Sequence, residues 1–310
     1  MMRSVGELLA RNHGDLLISK QKVRQAEGIT MVRQRRENGQ QNLGYSTRPF
    51  ILCGLPVRRP PQGQLIYERR NGSFVLQVTG HPDFGLPFGQ DRLVPIFLAT
   101  MAVKQRLPTI RFRSASMLLD WFGLSRGGKE YRRLVAAFER IFGATIFFGT
   151  DTTRSPARLV HRARFSFLRE AHIWYNRDGR PPESADNVVV LSDEFFAEAL
   201  AHPIPADLDA LRVLASAPAV LDLFLWLTYR CFVAQGEESI PLFGEWGLTH
   251  QLGSAEYSRP RRFRAMLDQW LATVRALWPT CPARISKDGH HLNIRKASFV
   301  APRSDTHTLA

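Results

Sequence analysis

Between residues 91 and 105 the positions Leu93, Ile96, Phe97, Thr100 and Met101 recur at i, i+3, i+4, i+7 and i+8, one face of an α-helix. Pro95 falls in the first turn of that helix, where a missing N–H is tolerated. Two longer stripes keep the same period. The first is Tyr131, Leu134, Val135, Phe138 and Phe142; the second is Phe263, Met266, Leu267, Trp270, Leu271, Val274, Leu277 and Trp278. Each predicts a helix that buries one side and leaves the other polar. Elsewhere the pattern shortens: Leu65 to Arg70 and Phe74 to Val78 flank Asn71-Gly72, a hairpin signal in which both turn residues take positive φ. The most apolar window, Val213 to Val233, contains Asp222, Arg230 and Pro218. It predicts a buried helix, since a membrane span needs about 20 nearly uninterrupted apolar residues.

These elements occur twice in one order. In the first copy a helix ends near Arg106, and the strand Thr109 to Phe112 and a small helix, Ser114 to Phe122, follow. Gly123 stops that helix, and after a linker, Leu124 to Gly128, a longer one runs from Lys129 to Phe142. The β-like segments Ala144 to Gly149 and Arg158 to Phe167 close the copy. In the second copy a helix spans Ala219 to Ala234, then come the strand Ser239 to Leu242 and a small helix, Phe243 to Leu252, stopped by Gly253. The long helix Arg259 to Trp278 and a hairpin follow, Ala283 to Ser286 and His291 to Arg295 around Lys287-Asp288-Gly289. Helix, strand, helix, tight turn, helix, hairpin is the order of a winged helix, and its repetition outweighs either occurrence alone. The expected fold is α+β: two tandem winged-helix domains and a basic, mobile N-terminal arm. The expected boundaries are 1–47 for the arm, with a short helix at Gly6 to Leu17, 48–186 and 187–302 for the domains, and 303–310 for a tail. Val188 to Leu191 and a stretch holding Pro203, Pro205 and Pro218 are expected to connect the copies.

Charge narrows the function. The 310 residues carry 42 Lys+Arg against 28 Asp+Glu, a net charge of +14, which points to an anionic polymer, nucleic acid first. With 44% hydrophobic residues the chain can bury ordinary cores and is not disordered throughout. Cys53, Cys231 and Cys281 are far apart and form no CxxC, which excludes a disulfide scaffold and a Cys-rich zinc module and suits a reducing cytoplasm. The arm, with Arg33-Gln34-Arg35-Arg36, reads equally as a solubilising tail or as a source of phosphate contacts.

The cations concentrate at the helix mouths. Arg259, Arg261, Arg262 and Arg264 open the second long helix, where positive charge opposes the macrodipole by about 0.3–1 kcal/mol each. That cost is offset if the end enters a major groove beside phosphates. The first long helix carries Lys129, Arg132, Arg133 and Arg140 largely off its apolar stripe, with Ser125 and Arg126 in the preceding turn. Arg154, Arg158, His161, Arg162 and Arg164 crowd the first hairpin; Lys287, His290 and His291 lie near the tip of the second. The candidate DNA contacts are therefore Ser125, Arg126, Lys129, Arg132, Arg133, Arg140, Arg158, Arg162, Arg259, Arg261, Arg262, Arg264, Lys287 and His290.

Catalytic patterns fail. Gly123 to Lys129 fits GxxxxGK, but Glu130 replaces the Ser/Thr that binds Mg²⁺ and the segment follows a helix. Adjacent histidines, His290-His291, point to opposite strand faces and cannot form a nickase pair. None of Tyr45, Tyr67, Tyr131, Tyr175, Tyr229 and Tyr257 has an obvious basic partner set, although Tyr257 is near arginines. Phe165 to Phe167 and Phe195-Phe196 read as core, and no metal-ligand spacing is present. No enzyme activity, cofactor or metal is expected.

Several segments resemble the plasmid-encoded RepA replication-initiator family. They are Gly85-Leu-Pro-Phe-Gly-Gln-Asp-Arg92, Leu98-Ala-Thr-Met-Ala102, Leu119 to Gly128, Ser216-Ala-Pro-Ala-Val-Leu-Asp-Leu223, Ala276-Leu-Trp-Pro279 and the final hairpin. The resemblance spans roughly residues 48 to 302 and departs at Met101, where an acidic residue is common, and at His81 to Asp83. It implies a bacterial initiator that binds repeated double-stranded origin DNA (iterons), helps open the adjacent duplex and recruits host initiator and replicative helicase. It further implies a monomer–homodimer equilibrium, autorepression, a cytoplasmic, plasmid-associated location and no membrane partner. The alternatives are a rolling-circle or relaxase-type nicking enzyme and a plain transcriptional repressor.

Overall fold

The computed structural model describes residues 20–151, 160–172, 187–244, 246–252 and 259–301. Helix α1 (Lys20–Glu37), strand β1 (Leu43–Ser46), helix α2 (Arg48–Leu52) and the hairpin β2 (Ile66–Asn71) and β3 (Phe74–Thr79) come first. A 3-10 turn, Gly89–Arg92, leads into α3 (Leu93–Gln105), β4 (Thr109–Phe112), α4 (Ala115–Trp121) and α5 (Gly128–Gly143). Strands β5 (Thr145–Asp151), β6 (Val160–Ser166), β7 (Leu168–His172) and β8 (Asn187–Leu191) follow, then α6 (Asp193–Ala201), β9 (Ile204–Asp207) and α7 (Leu208–Leu214). The second copy comprises α8 (Pro218–Val233), β10 (Glu237–Pro241), α9 (Leu248–Gln251), α10 (Pro260–Leu277), β11 (Arg284–Ile285) and β12 (His291–Arg295). The fold is α+β, as the alternating helical and strand periods predict.

Local chemistry sets the element ends. Ser114 Oγ accepts from the Met117 N–H (3.3 Å) and Ser192 Oγ from the Phe195 N–H (3.1 Å), so α4 and α6 open on N-caps. Gly123 stops α4 in the left-handed region (φ 64°), which costs glycine nothing. At the β2–β3 hairpin the pairing Asn71↔Phe74 makes Gly72-Ser73 the loop, with positive φ at Gly72 alone (63°). The turn is thus one residue later than the Asn-Gly signal suggests, and it needs glycine first.

Both copies carry a three-stranded sheet in which the first strand pairs with the last: β10-β12-β11 and β4-β8-β7. The second hairpin is therefore where periodicity places it. The first is not. Segments β5 and β6 pair with each other and with β3, giving the sheet β2-β3-β5-β6. Leu76, Val78, Ile146 and Phe165 are buried at alternating positions of this sheet, so β3, β5 and β6 share one covered face. The hairpin that completes the first copy is β7–β8, and β8 pairs with β4 in the register Ile110↔Val189. Val188 to Leu191 consequently belong to the first copy rather than to a connector, beyond the boundary expected after residue 186.

The expected mobile arm also differs. Residues 20–37 form α1, and β1 pairs with β9. Val32 is fully buried, and a Cβ on Gly28 would come within 2.7 Å of Val213. The basic run holds this helix down: Arg33 Nε donates to the Ala276 carbonyl (2.6 Å), Arg35 pairs with Asp209 (2.5 Å) and Arg36 Nε donates to the Phe299 carbonyl (2.7 Å). The short helix expected at Gly6 to Leu17 lies outside the described residues.

One continuous hydrophobic cluster runs through both copies, from Val32 and Phe97 to Trp270 and Phe299. Phe165, Phe167 and Phe195 meet within it at 5.3–6.0 Å, as core and not as a stacking platform. Polar links cross it as well. Arg92, at the mouth of α3, forms a buried ion pair with Asp222 of α8, and both side chains are 5% exposed. The same guanidinium donates to the carbonyls of Leu55 (3.0 Å), Pro56 (2.9 Å) and Gly89 (2.7 Å). Burial pushes the Asp222 carboxyl up, and Arg92 opposes that shift. A Cβ on Gly72 would collide with Trp246, so the β2–β3 turn abuts the second copy.

Removing one partner of the Arg92–Asp222 pair strands the other charge. Asp222→Ala is expected to destabilise the fold by about 3–5 kcal/mol, measured by urea unfolding; a loss below about 1 kcal/mol would show that the pair does not join the copies. Burial also pushes the Cys53 and Cys231 thiols from 9.0 up to about 12 and raises Cys281. All three are fully buried, so a thiol reagent at pH 8 is expected to label none until denaturant is added. Because native thiols keep protons that unfolded ones lose, stability falls as pH rises through 9.

Candidate nucleic-acid interface

Helix α5 buries Leu134, Ala137, Phe138 and Ile141, and Phe138 stacks on Phe112 at 6.1 Å. That packing turns Lys129, Arg132 and Arg133 to solvent. Arg133 shares its charge with Glu130 at 3.1 Å, one turn earlier on the same surface. In the turn before the helix Ser125 is exposed, and Arg126 donates twice to Asp120 (2.7 and 2.6 Å). Those hydrogen bonds hold the Asp120 carboxyl below its ordinary range. Both partners sit in water, where an ion pair is weak and a phosphate can compete for the arginine.

Arg140 does not join this group. It donates to both oxygens of Asp91 (2.6 and 2.9 Å) and lies over the Phe88 ring at 4.7 Å. Asp91 is itself buried and accepts the Phe88 N–H (2.8 Å). The expectation that Arg140 meets DNA is therefore corrected: it ties α5 to the 3-10 turn. Its partner is 49 residues upstream, a distance no helical period reveals.

In the second copy Arg259, Arg261 and Arg262 are exposed at the start of α10, while Phe263, Leu267, Trp270 and Leu271 are buried. Trp270 meets Phe263 edge-on at 6.1 Å, so it is core as its place in the stripe predicts. None of the three exposed arginines forms an ion pair with a described acidic residue. Arg264 has structural contacts of its own. Its guanidinium lies over Phe243 at 5.9 Å, and its Nε is buried with no hydrogen-bond partner among the described residues. A Cβ on Gly289 would come within 2.7 Å of its Nη1. Arg264 thus supports the hairpin tip from beneath.

That tip is well defined. Gly289 takes a positive φ (70°), its N–H reaches the Ser286 carbonyl (2.9 Å), and Asp288 accepts from Ser286 Oγ (2.5 Å) and the His290 N–H (2.9 Å). Lys287 and His290 project from it, both exposed, and the His290 ring meets Phe243 edge-on at 6.5 Å. Helix mouth and hairpin tip therefore share one aromatic support. On the first copy Arg162 stands opposite Gly149 in β6, in the four-stranded sheet and not in β7–β8; its side chain, like all of Arg158, lies outside the described residues.

Sequence reasoning missed Arg58 and Arg59. Both are exposed, and they line a cleft of about 650 Å³ whose other wall is α5 with Lys129, Arg132 and Arg133. The signal was the basic pair in Val57-Arg-Arg-Pro-Pro61, but nothing local ties it to a helix 70 residues on. Among the described residues no group of three or more His, Cys, Asp and Glu could hold a metal, and no helix is long and apolar enough to cross a membrane.

Residues 139–239 match a family model described as plasmid encoded RepA protein. This stretch supports the RepA family. The RepA match runs from the last turn of α5 to the start of β10, so it contains Asp222 but neither the exposed arginines of α10 nor Lys129, Arg132 and Arg133. Solved structures agree on the fold. A crystal structure of a selenomethionine derivative of domains 2 and 3 of RctB has a TM-score of 0.50 and 15% identity, covering 81% of this chain and 99% of that one. A second structure of RctB domains 2–3 has a TM-score of 0.50 and 14% identity, with 79% and 95% covered. No curated protein sequence matches the chain.

Proposed function

We propose that this chain initiates replication of a bacterial plasmid by binding repeated origin DNA through two winged helices. The RepA match supports an initiator role. The observation that carries the DNA-binding reading is the duplicated unit. In each copy a long helix hides its apolar stripe, exposes its N-terminal cations and is followed by a hairpin. Helices α5 and α10 act as recognition helices, reading successive major grooves about 34 Å apart. Arg259, Arg261, Arg262, Lys129, Arg132 and Arg133 make the contacts, with Ser125 and Arg126 in the turn and Lys287 and His290 at the hairpin tip. Backbone contacts fix the register, and deformation of the bound duplex promotes opening of the adjacent origin. Host initiator and replicative helicase are then recruited, and a dimeric form represses its own promoter. The mechanism is assembly on DNA, with no covalent step.

Footprinting on DNA flanking the gene is expected to show one protection spanning two helical turns per repeat. Arg261→Ala and Arg262→Ala are each expected to weaken that binding, by about 1–3 kcal/mol where the arginine reads a base. Unchanged affinity in both variants would remove α10 as a reader, and a nick in supercoiled origin DNA would overturn the binding-only mechanism.

A further inference from the structure

The cleft beside α5 has a wall that belongs to neither winged-helix unit. Arg58 and Arg59 end the segment that follows α2, and this segment is held in place from behind. Arg92 donates to the Leu55 and Pro56 carbonyls (3.0 and 2.9 Å), and the Gly89 N–H also bonds to the Pro56 carbonyl (2.9 Å). The two arginines therefore emerge from a fixed point facing α5. Across the cleft stand Lys129, Arg132 and Arg133 at i, i+3 and i+4, one surface of the helix. Five cations meet there, and the one carboxylate on that stretch of α5, Glu130, is already bonded to Arg133. A cleft lined by so many cations draws an anionic ligand to it.

The cleft is also extended. Arg59, Phe88 and Arg140 line both this cleft and a second hollow of about 650 Å³, formed by residues 60–65 and 82–86. A trough of that length suits a chain of phosphates better than a single small anion. From this juxtaposition we propose that Arg58 and Arg59 form the outer wall of a phosphate clamp, which grips the DNA backbone beside the groove that α5 enters. The proposal rests on the DNA-binding reading above and adds a contact from outside the recognition unit. Backbone contacts carry charge and no sequence information, so this wall contributes affinity and leaves specificity to the helices.

The test uses the full chain carrying Arg58→Ala and Arg59→Ala, titrated with an origin duplex and a scrambled duplex between about 50 and 200 mM salt. The expected slope of log affinity against log salt is shallower by about 1.8, since each lost phosphate contact removes about 0.9. Both duplexes should lose affinity by the same factor. Arg58→Lys with Arg59→Lys should keep the slope, and Arg59→Ala alone, the milder variant should the double one fold poorly, should shift it by about 0.9. An unchanged slope and affinity, while Lys129→Ala and Arg132→Ala still weaken binding, would overturn the clamp and leave the DNA reading intact. A change in the ratio between the two duplexes would overturn it too, because it would mean base contact. Absence of binding by the unaltered chain would overturn both.

Discussion

A charged pair taken wholly out of water forfeits several kcal/mol of hydration for each ion and is tolerated only where its geometry is fixed from several sides. Arg92 and Asp222 meet that condition. One guanidinium satisfies the Asp222 carboxylate and the carbonyls of Leu55, Pro56 and Gly89, so three segments converge on a single planar group. A Cβ on Gly54 would run into Asp222, which leaves that position to glycine. The mouth of α3, the end of the α2 segment and the second copy's first helix are thereby placed together. Two of the segments that carry the RepA resemblance, one ending at Arg92 and one containing Asp222, meet at this contact. Their likeness to the family is a likeness of scaffold.

The net charge of +14 divides into two populations. One is structural: Arg33, Arg35 and Arg36 fasten α1, Arg92 joins the copies, Arg140 ties α5 to the 3-10 turn, and Arg264 props a hairpin tip. Guanidinium suits this work because its five donors can answer several carbonyls and a carboxylate together. The other population is exposed and clusters at the two long helices and on the segment facing α5. Bulk charge therefore overstates the interface, and burial is what sorts one population from the other.

The sequence by itself determined the helices that bury a single stripe, the α+β class, the stop at Gly123 and the repetition of one element order; the stop expected at Gly253 lies outside the described residues. Those properties follow from interactions a few residues long: the 3.6-residue period, caps such as Ser114 and Ser192, and the positive φ of Gly123. Exposure of Arg259, Arg261 and Arg262 was legible for the same reason, since the stripe from Phe263 to Leu277 leaves them one direction to face.

Only the tertiary structure decided which strands pair, where α1 lies and which arginines are spoken for. Alternation marks a strand as half-buried but does not name its neighbour, so β5 and β6 read as the first copy's hairpin although they pair with β3. The true hairpin, β7–β8, reaches back to β4 across the whole of α4 and α5. Helix α1 has few apolar residues and is docked by guanidinium–carbonyl and guanidinium–carboxylate bonds together with Val32, and composition reads such a segment as a solvated arm. Arg140 and Arg264 looked free because Asp91, Phe243 and Gly289 are distant along the chain. Short-range periodicity fixes what each segment is; long-range contacts fix what it touches.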